Sequence, residues 1–149
     1  MEIIRKPDIE MLKSPVYGGE EFLMGFCHDK LVEIDKVFGE IVDLPSKHKA
    51  MHLLRHCASF CKVVHLARTS PLEYVETLME QFDEKQKGAL EKISGTAFTG
   101  EEWEQAQMPV GEGGFGLRSA VEHAHAAYVA SRGLTGELVE QLVGTSHRI

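Results

Sequence analysis

The sequence predicts an all-α protein: an irregular bundle of about five helices preceded by a non-helical N-terminal arm. From residue 20 onward, apolar residues recur at three- and four-residue steps, which is the period of an amphipathic helix. Residues that typically start or end helices, such as Ser46, Pro71 and Gly95, separate these runs. We expect two parts, the arm over residues 1–19 and a single helical domain over residues 20–149.

The composition is that of a globular protein with room for one sizeable core. The chain has 149 residues, of which 43% are hydrophobic and 26% charged. No apolar run approaches the roughly 20 residues that a membrane span needs, and the N-terminus has no signal-peptide pattern. Three cysteines, Cys27, Cys57 and Cys61, are an odd number. We therefore expect a reduced intracellular protein, nuclear or cytoplasmic, with no membrane partner.

The arm is broken by Pro7, Pro15 and the pair Gly18-Gly19. The pieces between these breaks could pair as a short β-hairpin or run as an extended segment. The first helix is predicted over residues 20–43, and Ser46 is placed to cap the next one.

The second predicted helix, residues 47–68, carries the strongest charge asymmetry in a chain whose formal net charge is −7. No acidic residue occurs from Pro45 to Leu72. We expect the helix to bury one face, including Cys57 and Cys61, and to present cations on the other. The cations of this acid-free segment are Lys47, Lys49, Arg55, Lys62 and Arg68. Of these, Arg55 and Lys62, seven residues apart, would share the exposed edge.

This basic face has two interpretations. It is either a solvated surface that pairs with the acidic helices around it, or a surface that contacts a nucleic-acid backbone, where Arg and Lys neutralise phosphates without reading sequence. The sequence leaves both open.

The later helices are predicted from their capping residues. Ser70, Pro71 and Glu73 start a helix that runs to about Ser94, with Gly95 after it. Two further capping-box patterns follow: Thr99 with Glu102 opens a short helix that ends at Pro109, and Ser119 with Glu122 opens a helix that ends at about Arg132. Gly133 then separates a last short helix over about 135–143.

Residues 111–116, GEGGFG, match the dinucleotide-binding pattern G-x-G-x-x-G. That motif needs a strand before it and a helix after it, but the preceding segment is predicted to be helical. We therefore predict a tight, close-packed turn at Pro109, Gly113, Gly114 and Gly116 rather than a cofactor site.

Cysteines and histidines give weak signals for a metal site or a nucleophile. Cys57, Cys61 and His65 lie at four-residue steps, but zinc needs about four ligands in a closed tetrahedron. A cysteine nucleophile would need a positioned base and an oriented third group. Of His123 and His125, we expect one to be packed and one exposed. The sequence therefore predicts no metal, no cofactor and no catalytic residue.

Several ordered segments resemble the region that follows the palm in the reverse transcriptases of non-LTR retrotransposons. PVGEGGFGLRSA, followed by AAYVAS, resembles one family segment, in which Arg118 follows the glycines. LLRHCASFCKVVHLARTSP, FDEKQKGALEKISG and KSPVYGGEEF resemble three others, although Lys13 stands where the family usually has glycine. The resemblance covers about Met11 to Gly133.

This resemblance implies a thumb-side fragment of an RNA-directed DNA polymerase that holds the template–primer duplex in the intact enzyme. The chain has no Asp-Asp pair, and polymerisation needs carboxylates that hold divalent metals; on this resemblance they would lie upstream of Met1. We expect no polymerase activity from the chain itself and weak backbone contact with nucleic acid. The nucleic-acid contacts would be Arg55, Lys62, Arg68, Arg118, Lys47 and Lys49, and the partner would be nucleic acid, a protein or the missing palm. The alternative is a helical protein–protein interaction or structural module with no nucleic-acid role.

Overall fold

The computed structural model describes residues 8–143 and confirms the all-α prediction, with six α-helices and one two-stranded hairpin in that range. Residues 1–7 of the predicted arm and 144–149 of the predicted helical domain lie outside the described residues. The elements are β1 (Ile9–Met11), β2 (Ser14–Tyr17), α1 (Glu20–Val42), α2 (Lys47–Cys57), α3 (Val64–Thr69), α4 (Leu72–Ser94), α5 (Gly100–Gln107) and α6 (Ala120–Val143), with 3-10 turns at Phe60–Lys62 and Val110–Glu112.

The N-terminal arm forms the predicted hairpin. β1 and β2 pair antiparallel, with Met11 opposite Ser14, so Leu12 and Lys13 form a two-residue loop. Both loop residues have positive φ, 52° and 61°, as a type I′ turn requires. The hairpin contacts α3, because Ser14 Oγ shares a hydrogen bond of 2.6 Å with Thr69 Oγ1 and His65 Nε2 lies 3.0 Å from the carbonyl of Leu12.

Helix α4 lies at the centre of the bundle and packs against α1, α2, α3 and α6. Its apolar residues follow a three- and four-residue stripe, so one face can be buried along its whole length. The aromatic rings of Phe38 in α1 and Phe82 in α4 meet with centroids 5.8 Å apart. The buried residues of α4 are Val75, Leu78, Met79, Phe82, Gln86, Ala89, Leu90 and Ile93.

The prediction of one helix over residues 47–68 is wrong. Helix α2 ends at Cys57, and the chain turns through Phe60–Lys62 before α3 begins. The segment between α2 and α3 buries Ala58, Ser59 and Val63. As a result Cys57 and Cys61 are exposed, not buried as predicted.

Several predicted caps are confirmed and one is wrong. Ser46 accepts from the amide of Lys49 at 3.3 Å, and Thr99 with Glu102 forms a complete capping box. Gly95 ends α4 with a left-handed φ of 76°. Ser70 does not cap α4, because Pro71 takes the N-cap position, and the buried Ser70 hydroxyl has no partner in the described part of the chain.

Helix α6 is continuous from Ala120 to Val143, so the predicted break after Arg132 is wrong. Gly133 and Gly136 lie inside the helix. Its N-terminus is held by a residue that the sequence did not single out: Asp83 of α4 accepts from the amide of Ala120 at 2.7 Å and from the hydroxyl of Ser119 at 2.6 Å. Burial raises the pKa of the Asp83 carboxyl, and these hydrogen bonds oppose that shift.

The glycine segment between α5 and α6 is the close-packed turn that the sequence predicts. Gly113 and Gly116 have positive φ, 86° and 71°, and Pro109 caps the 3-10 turn. Gly114 lies against the main chain at the end of α5, so closely that a Cβ atom would overlap the carbonyl of Met108. The turn is fixed by main-chain hydrogen bonds, including one of 2.8 Å from Gly116 N to the Met108 carbonyl.

Candidate nucleic-acid interface

A groove of about 1030 Å³ lies where the end of α2 meets the glycine turn and the start of α6. Two of the predicted nucleic-acid contacts, Arg55 and Arg118, line it together. They are 63 residues apart in sequence, so the fold rather than a helix face brings them to one surface. The groove is also lined by His56, Phe60, Cys61, Glu104, Glu122 and His123.

The Arg55 side chain lies against the backbone of the glycine turn. A Cβ atom at Gly116 would lie 3.1 Å from Arg55 Nε, which shows that the absence of a side chain there leaves room for the guanidinium. Arg55 is half-buried and forms no ion pair with any carboxylate among residues 8–143. A guanidinium held in this way keeps its planar set of donors available for an anion such as a phosphate.

Arg118 has a fixed backbone and an exposed side chain. Leu117 and Ser119 on either side of it are buried, and its carbonyl accepts from Gln86 Nε2 at 3.3 Å. Within the described range, the Arg118 side chain forms an ion pair neither with Glu122 nor with any other carboxylate. The structure therefore anchors the residue through its main chain and leaves its guanidinium in the groove.

Gln86 connects two segments that line the groove. Its side chain is fully buried in α4, where its Oε1 accepts from the Ser59 hydroxyl at 2.8 Å and its Nε2 donates to the Arg118 carbonyl. One buried amide therefore forms hydrogen bonds both to Ser59, in the break after α2, and to Arg118, which follows the glycine turn. Sequence reasoning missed Gln86, although a polar residue between Phe82 and Leu90 on the apolar stripe was a signal.

Phe60 and His123 form an aromatic pair in the groove, with ring centroids 5.6 Å apart. The Nδ1 atom of His123 lies 2.8 Å from the Ser119 carbonyl, which fixes the ring. His123 is half-buried and His125 is exposed, as the sequence predicts.

Acidic residues offset the formal charge of the two arginines in the groove. Arg55 and Arg118 contribute two positive charges, and Glu104 and Glu122 contribute two negative charges, so the formal sum is zero with neutral His56 and His123. Anion binding here would depend on the positions of the two guanidinium groups rather than on a strong net field.

The other predicted contacts do not line this groove. Lys47 and Lys49 are exposed in the first turn of α2, and Lys47 Nζ lies beside Gly95 at the C-terminal end of α4, where a cation is favourable. Lys62 is half-buried in the 3-10 turn, and Arg68 is exposed in the last turn of α3. Because the helix breaks, Arg55 and Lys62 do not share the helix edge that the sequence predicts.

The weak cysteine and histidine signals do not converge on one site. Cys57 and Cys61 are exposed, while His65 contacts the hairpin carbonyl of Leu12. Over the described range, no group of three or more His, Cys, Asp or Glu side chains is arranged to hold a metal ion. Within the same range, every helix is too short or too polar to cross a bilayer.

Comparison with known proteins gives one partial similarity. The chain is 27% identical over 99 residues to the 132 kDa protein of the SLACS retrotransposable element of Trypanosoma brucei gambiense. The aligned part is 64% of this chain and 8% of that protein. No family model matches the chain, and no solved structure matches it significantly. The similarity supports a retrotransposon-related origin.

Proposed function

We propose that this chain is a thumb-like helical part of a retrotransposon reverse transcriptase that helps to hold template–primer nucleic acid through backbone contacts. The observation that carries this proposal is the meeting of Arg55 and Arg118 in one groove. Both residues lie in segments that resemble the family, and the partial similarity to a retrotransposon protein supports the same origin.

The chemistry of the groove suits a sugar–phosphate backbone. Two guanidinium groups with no carboxylate partner within residues 8–143 can each donate bidentate hydrogen bonds to a phosphate. The aromatic pair Phe60–His123 offers an apolar surface for a sugar or a base. Because Glu104 and Glu122 offset the cations, we expect this chain to bind nucleic acid weakly. Tight binding would require the rest of the enzyme.

The proposed role does not include catalysis by this chain. Phosphoryl transfer to a growing strand requires carboxylates that hold divalent metals, and the sequence contains no Asp-Asp pair. Arg55 and Arg118 would position the duplex.

The test is a titration of the folded protein with a fluorescent RNA–DNA duplex at about 50 and 200 mM salt. We expect weak binding that decreases with salt, because each neutralised phosphate releases counterions. Replacing both arginines (Arg55→Ala with Arg118→Ala) should weaken binding at least about tenfold and reduce the salt slope by nearly two. The matched control is Arg132→Ala, an exposed cation of α6 outside the groove, which should leave binding unchanged.

Two results would contradict the proposal. The first is no binding at either salt concentration by a protein that circular dichroism shows to be folded. The second is equal loss of binding in the double variant and in Arg132→Ala, which would indicate nonspecific charge attraction. The first result would favour the alternative of a protein-interaction module.

A further inference from the structure

Two histidines of α2, His52 and His56, lie side by side on the surface of the helix. They are four residues apart, so both side chains project from the same face. Both are exposed, and their ring centroids are 4.5 Å apart. Two histidines at this spacing on a helix can share a single metal ion.

The ring nitrogens of both histidines are free to bind a ligand. Within residues 8–143, neither His52 nor His56 forms a hydrogen bond or an ion pair. By contrast, one ring nitrogen of His65 and one of His123 lie 3.0 and 2.8 Å from a backbone carbonyl. A neutral imidazole without such a partner keeps the lone pair of one nitrogen for a metal.

The separation of the two rings matches that of neighbouring ligands on one metal ion. A metal–nitrogen bond of about 2.1 Å and an imidazole radius of about 1.1 Å put the metal about 3.2 Å from each ring centroid. Two such ligands at about 90° would have centroids about 4.5 Å apart, and at the tetrahedral angle about 5.2 Å apart. The observed 4.5 Å fits the first geometry.

The orientation of the rings is also compatible with a shared metal. A metal bound through a ring nitrogen lies in the plane of that imidazole, so two parallel rings could not share it. The planes of His52 and His56 meet at 49°, so they have a common line on which a metal can lie.

We propose that His52 and His56 bind one divalent transition-metal ion that accepts ligands at 90°, such as Ni²⁺ or Cu²⁺, through one nitrogen of each ring. Imidazole suits these metals, and 90° angles are typical of them, whereas Zn²⁺ prefers a tetrahedron. The site has two protein ligands, and water or another oxygen ligand completes the coordination. It needs no third side chain, so it agrees with the absence of a larger ligand group within residues 8–143.

The charges around the pair limit its affinity for a cation. Over the range Pro45–Leu72 there is no acidic residue to compensate the charge of a metal. Lys49 and Arg55 each lie three residues from His52 and so flank it on the helix surface. The two nitrogens must therefore supply the binding, and we expect it to be weaker than at a closed metal site.

The experiment is isothermal titration calorimetry of the full chain, without a histidine tag, with NiCl₂. Ni²⁺ is the probe because Cu²⁺ would also oxidise exposed thiols. We expect one Ni²⁺ per chain. His52→Gln and His56→Gln should each weaken binding at least about tenfold, because loss of even an outer partner of a metal ligand costs about 10–100-fold.

His48→Gln is the matched control. His48 is exposed on the same helix, four residues before His52, but within the described range its ring contacts no other ring. The substitution should leave Ni²⁺ binding unchanged. Replacing the exposed thiols (Cys57→Ser with Cys61→Ser) should also leave it unchanged.

Stability gives a second measurement. Helix α2 aligns the two rings only in the folded chain, so Ni²⁺ should raise the urea midpoint of the unsubstituted chain. His52→Gln should abolish this rise while circular dichroism shows the variant to be folded, since its side chain is exposed.

Three results would overturn the proposal. They are no heat of Ni²⁺ binding, a loss in His48→Gln as large as in His52→Gln, and a loss of binding in the double serine variant, which would make the thiols the ligands. These measurements contain no nucleic acid, so their failure is separate from a failure of the proposed function.

Discussion

Replacing Gly114 with alanine tests whether the turn between α5 and α6 is as tightly packed as the structure indicates. An added Cβ would overlap the carbonyl of Met108 and lie 2.6 Å from the carbonyl oxygen of Gln105. Both neighbours are main-chain atoms and cannot rotate away. The Met108 carbonyl also accepts the 2.8 Å hydrogen bond from Gly116 N, so relief of the overlap would break contacts within the turn.

The expected loss of stability follows from these contacts. Overpacking costs about 1–3 kcal/mol, and each broken hydrogen bond adds about 1 kcal/mol. Alanine also lowers the conformational entropy of the unfolded chain, which offsets about 0.4–1 kcal/mol of this loss. We expect Gly114→Ala to lower the free energy of unfolding by about 2 kcal/mol, measured by urea denaturation with circular dichroism at 222 nm. This is a large part of the roughly 5–15 kcal/mol that stabilises a typical domain.

Gly111 provides the matched control. It lies two residues from Gly113 in the same segment, and nothing approaches its position for a Cβ within 4 Å. Gly111→Ala should be neutral or slightly stabilising. If both variants unfold within about 0.5 kcal/mol of the unsubstituted chain, the close packing inferred at Gly114 is wrong.

Four other substitutions test single features of the fold by the same denaturation assay. Gln86→Leu should cost about 2 kcal/mol, because it leaves the buried Ser59 hydroxyl and the part-buried Arg118 carbonyl without their partner, and a neutral result would contradict a structural role for the amide. Thr99→Ala removes a capping-box side chain and should cost about 1 kcal/mol. Lys13→Gly should stabilise the chain by up to about 1 kcal/mol, because glycine adopts the positive φ of the hairpin loop without strain, whereas destabilisation would argue against that loop conformation. Burial raises the pKa of the Asp83 carboxyl above its ordinary value of 3.8, so the folded chain binds the carboxyl proton more tightly than the unfolded chain does. The stability that this bound proton contributes is complete below pH 3.8 and is lost as the pH rises through the folded-state pKa. Lowering the pH from 7 to 4 should therefore favour the unsubstituted chain over Asp83→Asn, and an unchanged difference would contradict the inferred shift.

The sequence predicted features that depend on neighbouring residues in the chain. The limits of α1 and α4, the capping box at Thr99 and the turn at Gly113–Gly116 follow from local periodicity and backbone preference. The end of α6 was predicted wrongly for the same reason, since Gly133 is a common stop signal. In the structure the helix passes through it, which local propensity does not foresee.

Features that depend on tertiary contacts could not be predicted. The break after Cys57 carries no proline or glycine, and it forms where Ser59 meets Gln86 across the core. The break separates Arg55 from Lys62 and leaves both cysteines exposed. The meeting of Arg55 with Arg118 likewise depends on how α2 and the glycine turn pack, although each arginine could be proposed from its own segment.

Helix α3 contacts both the N-terminal hairpin and the helices of the bundle. Its six residues contact the hairpin through His65 and Thr69 and also pack along α4 and α6. A helix this short has no stability of its own, so its order comes from these neighbours. A substitution that destabilises the N-terminal hairpin should therefore also destabilise the packing of α6, whose first turns line the groove that contains Arg55 and Arg118. Amide hydrogen exchange at α3 would then report on the arm and the groove as one cooperative unit.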